Sequence, residues 1–297
     1  MKYVDFLEQV KSQVSDRVGE EARICICPVT KNNALELDGL SIMERDDNVS
    51  PVIYLNGYYQ EFQGGRTMER IVDQILETYQ RGKTLRYLNP DFYTDIRQVK
   101  GRLLCRLVNF EKNQRLLETV PHRRFLDLAI VYCCTMEHEK IGIASILVRN
   151  DHLALWGLED EELHEIAVDN MRRQQPFDFM SMEEMLQSLL NSNETAKKEG
   201  TLPLYVLTNR EKHYGAVWMT DPGALAQIGE ELNEDYYILP SSVHECMVLP
   251  ASMEASEQAL KKMVTEINAT QVAPEEVLAD SVYRYDRKTG SLRIAAV

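Results

Sequence analysis

Basic residues are in short supply. The chain has 33 Lys and Arg against 47 Asp and Glu, a formal net charge of −14 over 297 residues. Such a field repels phosphate backbones and anionic headgroups, so the expectation is no nucleic-acid and no membrane partner. Long apolar runs are also missing. No window approaches the ~18–20 apolar residues of a spanning helix, and the longest run, residues 128–134, suits a buried strand. Asp5 and Glu8 interrupt any apolar stretch near Met1, so no secretory signal is read there and a cytoplasmic location is expected. Hydrophobic residues make up 44% and charged residues 27%, which excludes collagen-like, disulfide-scaffold and largely disordered classes.

Catalytic signatures are missing as well: there is no HExxH, no GxSxG and no phosphate-binding glycine loop. None of the six cysteines is spaced CxxC. Cys25 and Cys27 would share one face of a strand, but a tetrahedral zinc site needs further ligands and none stands at a recognisable spacing, so all six are read as core residues. No metal and no cofactor is expected. The sequons at Asn48, Asn193 and Asn268 are accidental in a cytosolic chain.

What is present reads as α+β. A small helix–strands–helix unit is expected over residues 1–84, followed by a larger mixed α+β domain over 99–297. In the first unit Tyr3, Leu7, Val10 and Val14 mark a helix, and residues 22–28 read as extended. In residues 34–42 Asp38-Gly39 reads as a bulge or kink, and residues 51–55 form a strand closed by an Asn56-Gly57 turn. Residues 66–82 keep helical spacing throughout, through Met68, Ile71, Val72, Ile75, Leu76 and Tyr79.

In the second unit residues 125–136 read as a central strand with 141–148 beside it, and residues 160–173 as a helix. Ser181 and Glu184 form a capping box, opening a helix with Met182, Met185, Leu186, Leu189 and Leu190 inward. Residues 191–202 form an exposed loop. Residues 216–220 and 244–249 read as strands, and Asp221-Pro222 as a helix start. A hairpin over 283–294 follows, turning at residues 286–290.

Four groups of side chains are candidates for chemistry. If residues 242–248 are one strand, Ser242, His244 and Cys246 share a face next to Glu245, which suggests a nucleophile and its base; but same-face neighbours stand almost 7 Å apart at ~3.3 Å rise per residue. Glu161, Glu165 and Asp169, with His164 alongside, form an acidic helical stripe, read as a solvated face with Asp169 supporting Arg173. Tyr54, Tyr58, Tyr59 and Phe62 surround a glycine-containing turn and could grip a peptide or form the rim of a core. Pro121-His122-Arg123-Arg124 is the one basic cluster of note, suited to an anion or to capping a strand. His138, His152 and His213 look isolated.

The stretch at residues 32–67 (NNALELDGLSIMERDDNVSPVIYLNGYYQEFQGGRT), the phrase DYYILPSSVHECMVLP at 235–250, and PHRRFLDLAIVY followed by LVRNDHLALWG together resemble a family of uncharacterised bacterial proteins with a domain of unknown function. The resemblance spans most of the chain and implies a cytoplasmic stand-alone protein without assigned activity. The missing catalytic constellation, the acidic surface and the exposed aromatic turn make the leading expectation a non-catalytic interaction or regulatory protein that binds a protein or peptide through Tyr54, Tyr58, Tyr59 and Phe62. The alternative is a hydrolase built on Ser242, His244 and Cys246.

Overall fold

The computed structural model describes residues 1–19, 21–45, 50–82, 93–138, 142–185, 203–240, 242–253 and 255–296. The expected loop at 191–202, the inward Leu186, Leu189 and Leu190, the sequons at Asn48 and Asn193, and most of the segment between the two expected domains lie outside the described residues. Helices and antiparallel sheets are mixed, an α+β chain, and it divides into two compact units. One comprises residues 1–94 and 136–144, the other 95–135 and 145–297.

The first unit runs α1 (Tyr3–Val18), β1 (Arg23–Thr30), β2 (Glu36–Met43), β3 (Val52–Tyr54), α2 (Leu55–Gln63) and α3 (Met68–Gly82). Phe6, Val10 and Val14 recur four residues apart and so share the buried face of α1. They meet Ile71, Val72, Ile75 and Tyr79 of α3 over Leu40, Ile42 and Ile53 of the antiparallel sheet β1-β2-β3.

Two turn signals are overridden here. Asp38-Gly39 is neither bulge nor kink, because β1 and β2 pair without a register shift from Arg23↔Met43 to Thr30↔Glu36. Gly39 is needed for clearance: a Cβ there would stand 2.5 Å from Val52 Cγ1 and 2.9 Å from Val29 Cγ2. Asn56-Gly57 lies inside α2, since the Asn56 side chain accepts from the Asp38 N–H at 2.9 Å instead of supporting a turn.

In the second unit the short helices α4 (Ile96–Val99) and α5 (Gln114–Leu117) stand before and after β4 (Leu103–Asn109) in the chain. Strands β4, β5 (His122–Phe125) and β6 (Leu128–His138) form a sheet in the order β4-β6-β5, and β7 (Gly142–Leu147) pairs with β6, residues 136–138 and 142–144 of these two strands belonging to the first unit. Helix α6 (Asn150–Trp156) ends on Gly157 with φ +65, and α7 (Asp160–Gln174) packs on β4. A six-stranded antiparallel sheet follows: β8 (Phe177–Ser181), β9 (Tyr205–Asn209), β10 (Tyr236–Leu239), β11 (Cys246–Pro250), β12 (Val282–Asp286) and β13 (Ser291–Ala296), ordered β13-β12-β10-β11-β9-β8. Helix α8 (Pro222–Leu232) starts where Asp221 accepts from the Ala224 N–H at 2.9 Å, and α9 (Glu257–Thr270) lies against β12 and β13.

Residues 215–220 are not a strand. They form a 3-10 helix whose members Gly215–Met219 are all buried, and a segment enclosed on every side carries no strand alternation to read. Long-range bonds tie the unit together: Asn109 Nδ2 donates to Leu278 O at 3.1 Å, and Ser281 Oγ and Tyr283 OH donate to Asp127 at 2.6 and 2.5 Å.

Candidate functional site

The Ser242, His244 and Cys246 row does not form as a strand face, because β11 begins only at Cys246. Ser242 Oγ accepts from the N–H groups of His244 (3.1 Å) and Glu245 (3.3 Å), a turn-closing role that occupies its lone pairs. The Cys246 thiol is fully enclosed, 4.0 Å from Ala216 O and 3.9 Å from Met219 Sδ, and burial pushes its pKa well up. An inward thiol held in its protonated form is a poor nucleophile. The structure therefore brings neither the hydroxyl nor the thiol to the imidazole.

The imidazole has other company. His244 Nδ1 accepts from the Tyr214 N–H at 3.1 Å, which puts the ring proton on Nε2, 3.5 Å from Glu276 Oε1. The His213 ring lies beside it, centroids 5.2 Å apart, with Tyr214 5.0 Å from His244 and 4.2 Å from His213. The Arg106 guanidinium of β4 lies over the Tyr214 ring, 3.6 Å from its centroid, and its Nη2 is buried with no hydrogen-bond partner among the described residues. Burial first, then His244 and Arg106, push the His213 pKa down to about 4.

His213 is thus not isolated. Tyr214 at φ +55 turns it toward His244, and Gly215 follows so closely packed that a Cβ would meet Thr208 Oγ1 at 2.4 Å and Asn209 N at 2.5 Å. Nothing in the spacing of residues 213 and 244 signals this meeting; it depends on a left-handed backbone residue that is not glycine. The cluster gathers the Arg106 cation, two imidazoles and the Glu276 carboxylate around the Tyr214 ring.

The aromatic group lies on β3 and α2. Tyr59 packs on Tyr3 and Phe6 at 4.9 and 5.2 Å between centroids, and Phe62 on Phe6 at 5.6 Å. Both complete the rim of the first unit's core. Tyr58 OH meets Thr78 Oγ1 at 3.3 Å, while the Lys31 ammonium sits 4.1 Å above the half-buried Tyr54 ring. Beside it Val52 is 44% exposed.

The remaining candidates are locally occupied. Arg123 bonds Glu161, and His164 Nδ1 meets Tyr132 OH at 3.0 Å, so the basic cluster and the acidic stripe neutralise each other in part. Arg124 donates to Leu126 O at 3.1 Å, and His122 Nδ1 lies 3.1 Å from Val120 O. Arg173 turns to Asn170 Oδ1 at 2.8 Å instead of pairing with the Asp169 carboxylate. Among the described residues no three His, Cys, Asp or Glu side chains converge as metal ligands, and no helix is long and apolar enough to cross a membrane.

The core reading holds for Cys105, Cys133, Cys134 and Cys246, which are buried, but not for Cys25 and Cys27. Cys27 is exposed and Cys25 half-buried, with their sulfurs 2.9 Å apart.

No curated protein and no solved structure matches the chain. A family model does, over residues 3–287, and the chain belongs to that family, described as a family of unknown function, DUF5688.

Proposed function

We propose that this chain is a non-catalytic cytoplasmic interaction or regulatory protein whose partner is a protein or peptide. The observation that carries the reading is the state of the groups a hydrolase would need. The Ser242 hydroxyl serves two backbone N–H groups, the Cys246 thiol faces the core, and both His244 nitrogens already have neighbours. A site of this kind holds a loop in shape.

The partner surface in this reading is the edge of the first unit's sheet. Strand β3 is last in the order β1-β2-β3, so its outer backbone groups have no strand neighbour among the described residues. Val52 and Tyr54 on that strand offer an apolar and an aromatic contact to a peptide adding alongside. Tyr58, Tyr59 and Phe62 pack partly buried against the core of the same unit.

The test is a quantitative affinity capture with the full chain, comparing wild type with Val52→Asp and Tyr54→Ala. One protein retained by wild type and reduced at least tenfold by both variants, with unchanged melting, supports the reading. Equal capture by all three refutes it, as does peptide or ester hydrolysis that disappears in His244→Ala.

A further inference from the structure

Strand pleating places Cys25 and Cys27 on one face of β1, opposite the face where Ile24 and Ile26 pack on the core. Their cross-strand neighbours on β2 are Ser41 and Gly39, the first small and the second without a side chain. Directly across β2, then, no long side chain stands opposite the two sulfurs; Met43 and Leu37, on the same face, pair instead with Arg23 and Val29.

The thiols turn toward each other to 2.9 Å, one donating a hydrogen bond to the other, and this contact raises the Cys27 pKa. A disulfide is a poor use of the pair. It needs Cβ atoms ~3.5–4.5 Å apart, whereas strand residues i and i+2 are separated by about 6.5 Å, so closure would buckle a strand paired along its whole length. One ion held between two sulfurs asks only for side-chain rotation.

We infer that Cys25 and Cys27 form a two-coordinate site for a monovalent thiophilic cation, with the chemistry of Cu(I). Thiolates are soft ligands and select such an ion. Zinc needs four ligands, and among the described residues no third His, Cys, Asp or Glu joins the pair. A closed-shell monovalent ion is satisfied by two thiolates in line. Lys11 and Arg23 lie close enough to lower the Cys27 pKa, and so favour the thiolates and the single negative charge of the complex. On binding, both S–H bonds break, two S–Cu bonds form, two protons leave to solvent and no electron is transferred.

This site does not depend on the partner surface proposed at β3. The test is anaerobic competition between the full chain and the chromophoric chelator bathocuproine disulfonate, with copper supplied as Cu(I). Wild type is expected to withdraw one Cu(I) per chain, and Cys25→Ser and Cys27→Ser each to weaken that affinity about 100-fold or more, beyond the loss typical of residues that only support a ligand. Bound Cu(I) should also shield both cysteines from N-ethylmaleimide in the unmutated chain, a readout that needs no variant to fold. The inference is overturned if the double serine variant keeps the stoichiometry, if Cu(I) leaves alkylation of Cys25 and Cys27 unchanged, or if Zn(II) is held as tightly as Cu(I).

Discussion

Gly39→Ala puts the packing of the first sheet to a direct test. The new methyl would sit 2.5 Å from Val52 Cγ1 and 2.9 Å from Val29 Cγ2, inside any tolerable carbon contact. Replacing glycine by alanine within a strand is worth about 0.5–1 kcal/mol in chain entropy. Overpacking costs about 1–3 kcal/mol, and both valines are stiff at χ1, so the clash outweighs the gain by roughly 1–2 kcal/mol. Val52 is 44% exposed, and its truncation to alanine alone should cost no more than about 1 kcal/mol, half or less of a fully buried valine. Removing its methyls also vacates the space the new Cβ needs. The pair should therefore couple: Gly39→Ala/Val52→Ala should be more stable than the sum of the single changes by about 1 kcal/mol. Chemical denaturation of the full chain followed by circular dichroism gives all four corners of the cycle. Strict additivity, or a stabilised Gly39→Ala, would refute the claim that this glycine is there for clearance.

Two further outcomes follow from the second unit. The His213 ring, ordinarily near 6.5, is held down to about 4 among His244, Tyr214 and Arg106, with Glu276 reaching the far side of His244. Between those values the unfolded chain binds more protons, so stability present above pH 6.5 drains away as pH falls toward 4. Undiminished, that shift is worth ~3 kcal/mol, and solvent screening of the half-buried ring reduces it to about 1–2 kcal/mol. Denaturation midpoints at pH 7 and pH 4.5 should converge in His213→Gln relative to wild type; an unchanged gap would contradict the assignment. Asp221, 6% exposed, caps α8 and receives Arg172 Nε and Nη2, both at 2.8 Å. Asp221→Ala should cost about 2–3 kcal/mol, since both cap and ion pair go while the half-exposed Arg172 rehydrates, and Asp221→Asn, which keeps the cap, should cost about half as much; equal losses would show that the cap contributes nothing.

How much of this could be read beforehand depended on what each signal responds to. The periodicity of α3, the Asp221-Pro222 start and the glycine-closed β12–β13 hairpin are local statements, and tertiary contacts agree with them. Asn56-Gly57 and Asp38-Gly39 carry turn chemistry, yet one amide was spent across the sheet and one missing side chain made room for two valines. Residues 215–220 are apolar because they are surrounded, a property that helix and strand share. Of the candidate sites, the row from Ser242 to Cys246 presumed a strand that starts four residues later, while His213 needed both a left-handed tyrosine and a neighbour 31 positions away. The shared face of Cys25 and Cys27 was legible from their spacing; their exposure was not, because burial of an outer sheet face depends on what lies over it.

The bonds from Asn109 to Leu278 and from Asp127 to Ser281 and Tyr283 cross more than half of the chain. During synthesis the sheet β4-β6-β5 emerges long before its last partners. Buried polar groups such as Asn109 then wait for residues 278–283 to leave the ribosome before their bonds can be made. Until that moment the Asn109 amide and the Asp127 carboxylate lack the partners that the finished unit gives them, so the pace of translation between residues 127 and 283 sets how long those groups stay unpaired.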